Sequence, residues 1–140
     1  MVNRRAFLAS ALAGLAAASP ARRAVAPRQI LLRSSWQTVN IGDIAHTPGL
    51  LALWEEHRPQ DHVTLWPNRL DARVERLLTS RFPKLAIAST KEDQDRALAS
   101  CDFFLHGSGP GLVGAAEAER ARKAGKPYGF AGVTLSDEEL

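Results

Sequence analysis

Only one cysteine occurs in the 140 residues, Cys101, which excludes an intramolecular disulfide and a cysteine-based zinc site. Its expected place, at a helix end before an apolar strand, suits a buried packing thiol better than a reactive one. His46, His57 and His62 show neither HxxxH nor HExxH spacing, so no metal is expected. No nucleophile triad and no internal repeat is visible. Basic excess is also nearly missing. Arg4 and Arg5 stand in a leader without acids, so the chain after Ala21 carries sixteen basic and fifteen acidic residues, a formal net charge of +1. That balance leaves no electrostatic footprint for nucleic acid or an anionic membrane. Beyond the leader, no stretch is long and apolar enough to cross a bilayer.

What is present begins with an address. Asn3-Arg4-Arg5 precedes Ala6-Phe7-Leu8 and an Ala-rich apolar stretch to about Ala18, and Ser19-Pro20-Ala21 supplies small residues for a peptidase. Paired arginines before a mildly hydrophobic core resemble a twin-arginine export signal. An ordinary secretory signal or an uncut anchor is the alternative. An apolar run of roughly 13 residues is short for a span, which favours cleavage. The expected organisation is an export signal over 1–21, a linker over 22–28 and one domain over 29–140, exported to the periplasm or held at the membrane.

In that domain short apolar runs alternate with amphipathic stretches. Strands are expected at Gln29 to Arg33, His62 to Trp66, Leu85 to Ala88, Asp102 to Leu105 and Tyr128 to Val133. Helices are expected from Asp43 to His57, with Thr47 as N-cap and Pro48 in the first turn, from Ala72 to Phe82, from Lys91 to Ser100 and from Gly111 to Ala124. Strands alternating with helices of this length imply parallel βαβ units. The expected fold is therefore α/β, a Rossmann-like parallel sheet of five strands in the order 3-2-1-4-5 with helices on both faces. Its switch point lies between strands 1 and 4, where ligands meet the carboxyl ends of the strands.

Two unusual segments follow those strands. In the first, Asn40-Ile41-Gly42-Asp43, the glycine permits close backbone approach, the helical N–H groups suit an anion and the carboxylate suits hydroxyls. The alternative is that Asn40 and Asp43 merely hold the turn and cap the helix, although Thr47 stands nearby for capping. The second is His106-Gly107-Ser108-Gly109-Pro110-Gly111, where glycines after an apolar strand admit a ligand to the main chain. His106 is a candidate acid or base, or a hydrogen-bonded structural histidine. Gly109-x-Gly111-x-x-Gly114 matches the dinucleotide fingerprint only formally, because it follows the fourth strand and its acidic partner has no candidate but Asp137. Trp54 and Trp66 fall on expected core faces. Trp36 lies in the first loop, where it either packs or meets a ligand. The Glu117 to Lys123 run is expected as a solvated helix face.

Taken together, ILLRSSWQTVNIGDIAHTPGLLALWE, VTLWP, FFLHGSGPGLV and GKPYGFAGVTL resemble the N-terminal half of the polysaccharide pyruvyl transferase family, over roughly Gln29 to Leu135. That family shows an Asn-x-Gly-Asp loop after the first strand and a Gly-rich loop after a later one; here the second reads His-Gly-Ser-Gly-Pro. The resemblance implies one half of a GT-B-like enzyme whose active site lies between two Rossmann-like halves. It implies transfer of the enolpyruvyl group of phosphoenolpyruvate, a co-substrate rather than a cofactor, onto the hydroxyls of a sugar or polysaccharide acceptor as a ketal. It maps acceptor binding onto Asn40, Gly42, Asp43, His106, Gly107, Ser108 and Gly109, with His106 and Asp43 as candidates for proton transfer.

In this family the groups that grip phosphoenolpyruvate lie largely in the second half, which this sequence lacks. The chain is thus expected to be a fragment, inactive alone, with an apolar patch where the C-terminal half docks on the cleft face. The alternatives are a non-catalytic exported module that binds a sugar or anion, and a fragment of a GT-B glycosyltransferase.

Overall fold

The computed structural model describes residues 26–110 and 113–134, with no side-chain placement for 109 and 110. The expected leader and the expected helix start at Gly111 lie outside the described residues. Among the described residues five strands and four helices alternate: β1 (Gln29–Ser34), α1 (Ile41–His57), β2 (His62–Pro67), α2 (Ala72–Arg81), β3 (Ala86–Ile87), α3 (Lys91–Ser100), β4 (Phe103–Pro110), α4 (Ala115–Lys123) and β5 (Tyr128–Thr134). All strand pairs are parallel and the sheet order is β3-β2-β1-β4-β5, as the alternation of runs predicts.

Both faces of the central strands are buried, which is why their sequence is continuously apolar rather than alternating. Ile30 and Leu32 of β1 point to one face and pack with Leu51 of α1 and with Val74 and Leu78 of α2. Leu31 points to the other and packs with Phe104, with Leu98 of α3, and with Ala118 and Ala121 of α4. Each large side chain so buried contributes roughly 1.5–3 kcal/mol. Trp66 belongs to this second core and Trp54 packs against the first. Cys101 is buried at the α3 terminus, and burial pushes its thiol pKa up.

Capping fixes the helix starts. Asp71 accepts from the N–H groups of Arg73 and Val74, and Thr90 from that of Asp93. Helix α1 corrects the sequence expectation. Asn40, in extended conformation, accepts from the Gly42 N–H at 2.9 Å, so the helix begins at Ile41, just before the expected Asp43, with Asn40 as its cap. Thr47 is not the cap. It is buried inside the helix, and its Oγ1 shares hydrogen bonds with Ser34 Oγ at 2.8 Å and Ser35 Oγ at 3.1 Å. Lying more than a turn inside the helix, this hydroxyl is out of reach of the free N–H groups at the helix start, and Pro48 is left in the helix interior.

Strand β4 supplies the second correction. His106 to Gly109 is not a loop, because β4 continues to Pro110 with partners along β5: His106 with Phe130, Gly107 with Ala131 and Gly109 with Val133. The pairing with β5 recruits residues whose glycine content argues locally for a turn. Helix α4 accordingly starts at Ala115, and β3 shrinks to two residues at the sheet edge.

At the amino end of the sheet, the buried Asp61 carboxylate gathers four donors. They are the Arg28 N–H, the Trp54 indole N–H, and Nε and Nη2 of Arg58. Burial pushes its pKa up, but the Arg58 guanidinium and the two N–H donors outweigh it and hold the carboxyl below its usual range.

Candidate functional site

The carboxyl ends of β1 and β4 present two sides, and only one is open. On the α1 side a groove of about 530 Å³ runs between the helix and β5. Its lining includes Ser34, Gly42, Ala45, His46, Gly49, Leu50, Leu53, Gly107, Ser108, Ala131 and Gly132. That volume suits a small-molecule ligand. Among the described residues that line it there is no lysine, arginine or carboxylate.

Of the residues singled out from sequence, Gly42, Gly107 and Ser108 meet here. Gly107 allows α1 to approach: a Cβ there would stand 3.1 Å from Leu32 Cδ1 and 3.3 Å from both Leu50 Cδ2 and Ser34 Oγ. Ser108 adopts left-handed backbone geometry, φ 53°, which costs a non-glycine residue about 1–2 kcal/mol. Its buried Oγ has no hydrogen-bond partner among the described residues. Asn40 is an exposed helix cap and Asp43 a half-buried residue of the first turn; neither lines the groove. Gly109 is paired within β4.

The other side of the switch point is filled with protein. Trp36 is only 7% exposed, and its indole N–H donates to the Gly107 carbonyl at 2.8 Å. The Arg33 guanidinium stacks 4.4 Å from the centroid of Trp36 and donates to Glu117 through Nε at 3.1 Å and Nη2 at 2.9 Å. Nη2 also donates to Asn68 Oδ1, and the Asn68 amide donates to the Trp36 carbonyl. Trp36 is therefore a packing residue tied to β4.

His106 is wholly buried, 5.1 Å from the Trp36 ring and 5.4 Å from Phe130 between centroids. Its Nε2 accepts from the Gly114 N–H at 3.0 Å, so the ring proton sits on Nδ1, which has no partner among the described residues. Burial lowers its pKa, and the nearby Arg33 charge lowers it further. The imidazole is neutral and enclosed, outside the open groove. Gly114, the last glycine of the formal fingerprint, is needed for this packing. A Cβ there would fall 2.6 Å from His106 Cδ2.

His46 belongs to no metal-ligand spacing, and no motif in the sequence marks it. It is exposed on α1, with Nδ1 3.4 Å from where a Cβ of Gly132 would stand. The signal that could have found it is the stripe Ala45, Gly49 and Leu53, small or apolar at four-residue spacing, which turns this helix face toward the groove. Among the described residues no cluster of His, Cys, Asp or Glu has the form of a metal site. A second cavity, of about 260 Å³, lies away from both motifs, among Trp54, Val63, Phe82 and Leu85. Compared with protein-family models, with curated proteins and with solved structures, the chain matches none.

Proposed function

We propose that this chain is the acceptor-binding half of a pyruvyl transferase that builds cyclic ketals on sugars from phosphoenolpyruvate. The observation that carries the reading is the convergence of its two motif segments: Gly42 from one and Gly107 and Ser108 from the other line a single groove at the carboxyl ends of the strands. A groove without charged side chains suits a neutral sugar rather than phosphoenolpyruvate, whose phosphate and carboxylate call for cations. Those cations belong to a second half, in keeping with the family resemblance. Val39 and Ile41, 88% and 78% exposed beside the Asn40 cap, and Leu53 at the groove are apolar surface of the kind such a half would cover. The leader over 1–21 carries the domain out of the cytoplasm or holds it at the membrane.

Chemically, a sugar hydroxyl adds to C2 of the enolpyruvyl group while C3 takes a proton. A neighbouring hydroxyl then displaces phosphate at C2 and closes the ketal, giving up its own proton. The protein made by the cell, incubated with phosphoenolpyruvate and a panel of polysaccharides, is expected to release phosphate and to produce a ketal methyl signal by NMR. Absence of both with every acceptor overturns the transferase reading. The enclosure of His106 and the position of Asp43 outside the groove lining favour a second reading, a sugar-binding module without catalysis. Glycoside binding without phosphate release identifies it.

A further inference from the structure

We propose that His106 is an acid-operated latch on the start of α4, closed while its imidazole is neutral and released when the ring takes a second proton. That role follows from geometry and does not depend on which ligand the groove takes. The Gly114 N–H donates to His106 Nε2 at 3.0 Å, a bond that requires a lone pair on that nitrogen. An imidazolium carries N–H groups on both nitrogens, so the ring and the Gly114 amide would then face each other as two donors. The two are in close contact, since a Cβ on Gly114 would fall 2.6 Å from His106 Cδ2.

Among the described residues no neighbour offers the added charge a free partner. On β1, Arg33 is the residue opposite His106 in the ladder, and its guanidinium repels an imidazolium. Trp36 and, from β5, Phe130 supply only aromatic faces. On α4, Glu117 favours the charge, but its Oε1 already accepts from Nε and Nη2 of Arg33. A buried charge so placed is costly, and the structure yields where it is held least. His106 and Phe130 sit in strands joined by ladders. Gly114, by contrast, has no side-chain cap bond, and its helix buries only Ala118 and Ala121. Val113, 53% exposed, adds no anchor before it. Alanines bury little apolar area, so the start of α4 opens at low cost. Glu117 tethers the next turn through Arg33, which limits the opening to Gly114 and to the Ala118 N–H, bonded to the Gly114 carbonyl at 3.0 Å. Release uncovers the filled side of the switch point beside Trp36, whose indole holds Gly107 on the groove floor.

The test follows amide hydrogen exchange and imidazole ¹⁵N shifts of the full chain by NMR from pH 7.5 to 5. At pH 7.5 the shifts should identify Nε2 as the nitrogen without a proton. The latch is complete above the ordinary pKa of 6.5 and is lost as pH falls toward the lowered value of the closed state. Across that window the protection of Gly114 and Ala118, corrected for intrinsic exchange, should fall by up to roughly tenfold per pH unit. Leu31 and Leu105 exchange on global unfolding; they should be at least roughly tenfold better protected, and low urea should speed their exchange alone. His106→Gln, whose amide oxygen can accept from Gly114 and does not titrate, should make Gly114 protection independent of pH. His57→Gln, at the exposed end of α1, should change nothing. Where His106→Gln does not fold, the parent titration decides. Gly114 and Ala118 with the protection and urea dependence of Leu31 and Leu105 signify global unfolding, which overturns the latch. So does a proton on Nε2 at pH 7.5, Gly114 protection that stays constant over the range, or protection that still falls with pH in His106→Gln.

Discussion

The Trp36 indole donates its N–H to the carbonyl of Gly107 at 2.8 Å, joining the segment after β1 to the strand that floors the groove. Trp36→Phe keeps a ring for Arg33 to stack on but leaves the Gly107 carbonyl unpaired in a buried place. The expected loss is roughly 1–3 kcal/mol, the cost of an orphaned polar group. Urea unfolding should show a lower midpoint with an unchanged slope. An unchanged midpoint means that water reaches the carbonyl.

His106 makes stability depend on pH. Its pKa is lowered in the folded chain, by burial first and by Arg33 second, so between the folded value and the ordinary 6.5 the unfolded chain binds more protons. Stability is complete above the ordinary value and falls as pH drops through the window below it. His106→Gln should flatten that part of the curve when denaturation midpoints are measured from pH 7.5 to 5. A slope that survives the substitution belongs to another group.

Asp61 acts in more acid solution. Its carboxyl lies below the usual range, so its stabilisation is complete above that range and is lost as pH falls through the folded value. Asp61→Asn turns an amide toward Arg58 and the indole of Trp54 and should cost roughly 3 kcal/mol at neutral pH. Thermal denaturation measures this. Glycoside binding should survive, because Asp61 lies at the opposite end of the sheet.

Export has its own test. Arg4→Lys with Arg5→Lys preserves charge and apolar length, which an ordinary secretory signal needs, and removes the arginine pair that twin-arginine transport reads. Cell fractionation should find the double variant retained in the cytoplasm. Unimpaired export shows that the ordinary secretory route is used.

Much of the fold was legible because its signals are local and reinforce one another. Lys91–Ser100 follows a threonine cap and carries acids in its first turn, and its expected bounds match the helix. The parallel pairing of the strands follows from their alternation with helices. Thr47 misled because a hydroxyl before a proline has the local form of a cap, whereas its partners, Ser34 and Ser35, lie 13 and 12 residues away. His106 to Gly109 misled for a similar reason. Glycine-rich sequence argues for a turn, and only β5, more than twenty residues later, makes it a strand. Gly42, Gly107 and Ser108 could be found from the motifs alone. His46 belongs to no motif; only the Ala45, Gly49 and Leu53 stripe hints at its face, and its place depends on how α1 lies across the sheet.

Thr47 and Trp36 have a joint effect on how the groove receives a guest. From the end of β1, Ser34 and Ser35 grasp the helix wall through Thr47, while Trp36 grasps the floor through Gly107. Wall and floor are thus braced to one strand terminus, like two plates bolted to a common bracket. On the proposed reading, a sugar entering between them meets surfaces already set at their working separation. Little ordering of the protein is then charged against its affinity, and what remains is the freedom given up by the sugar itself.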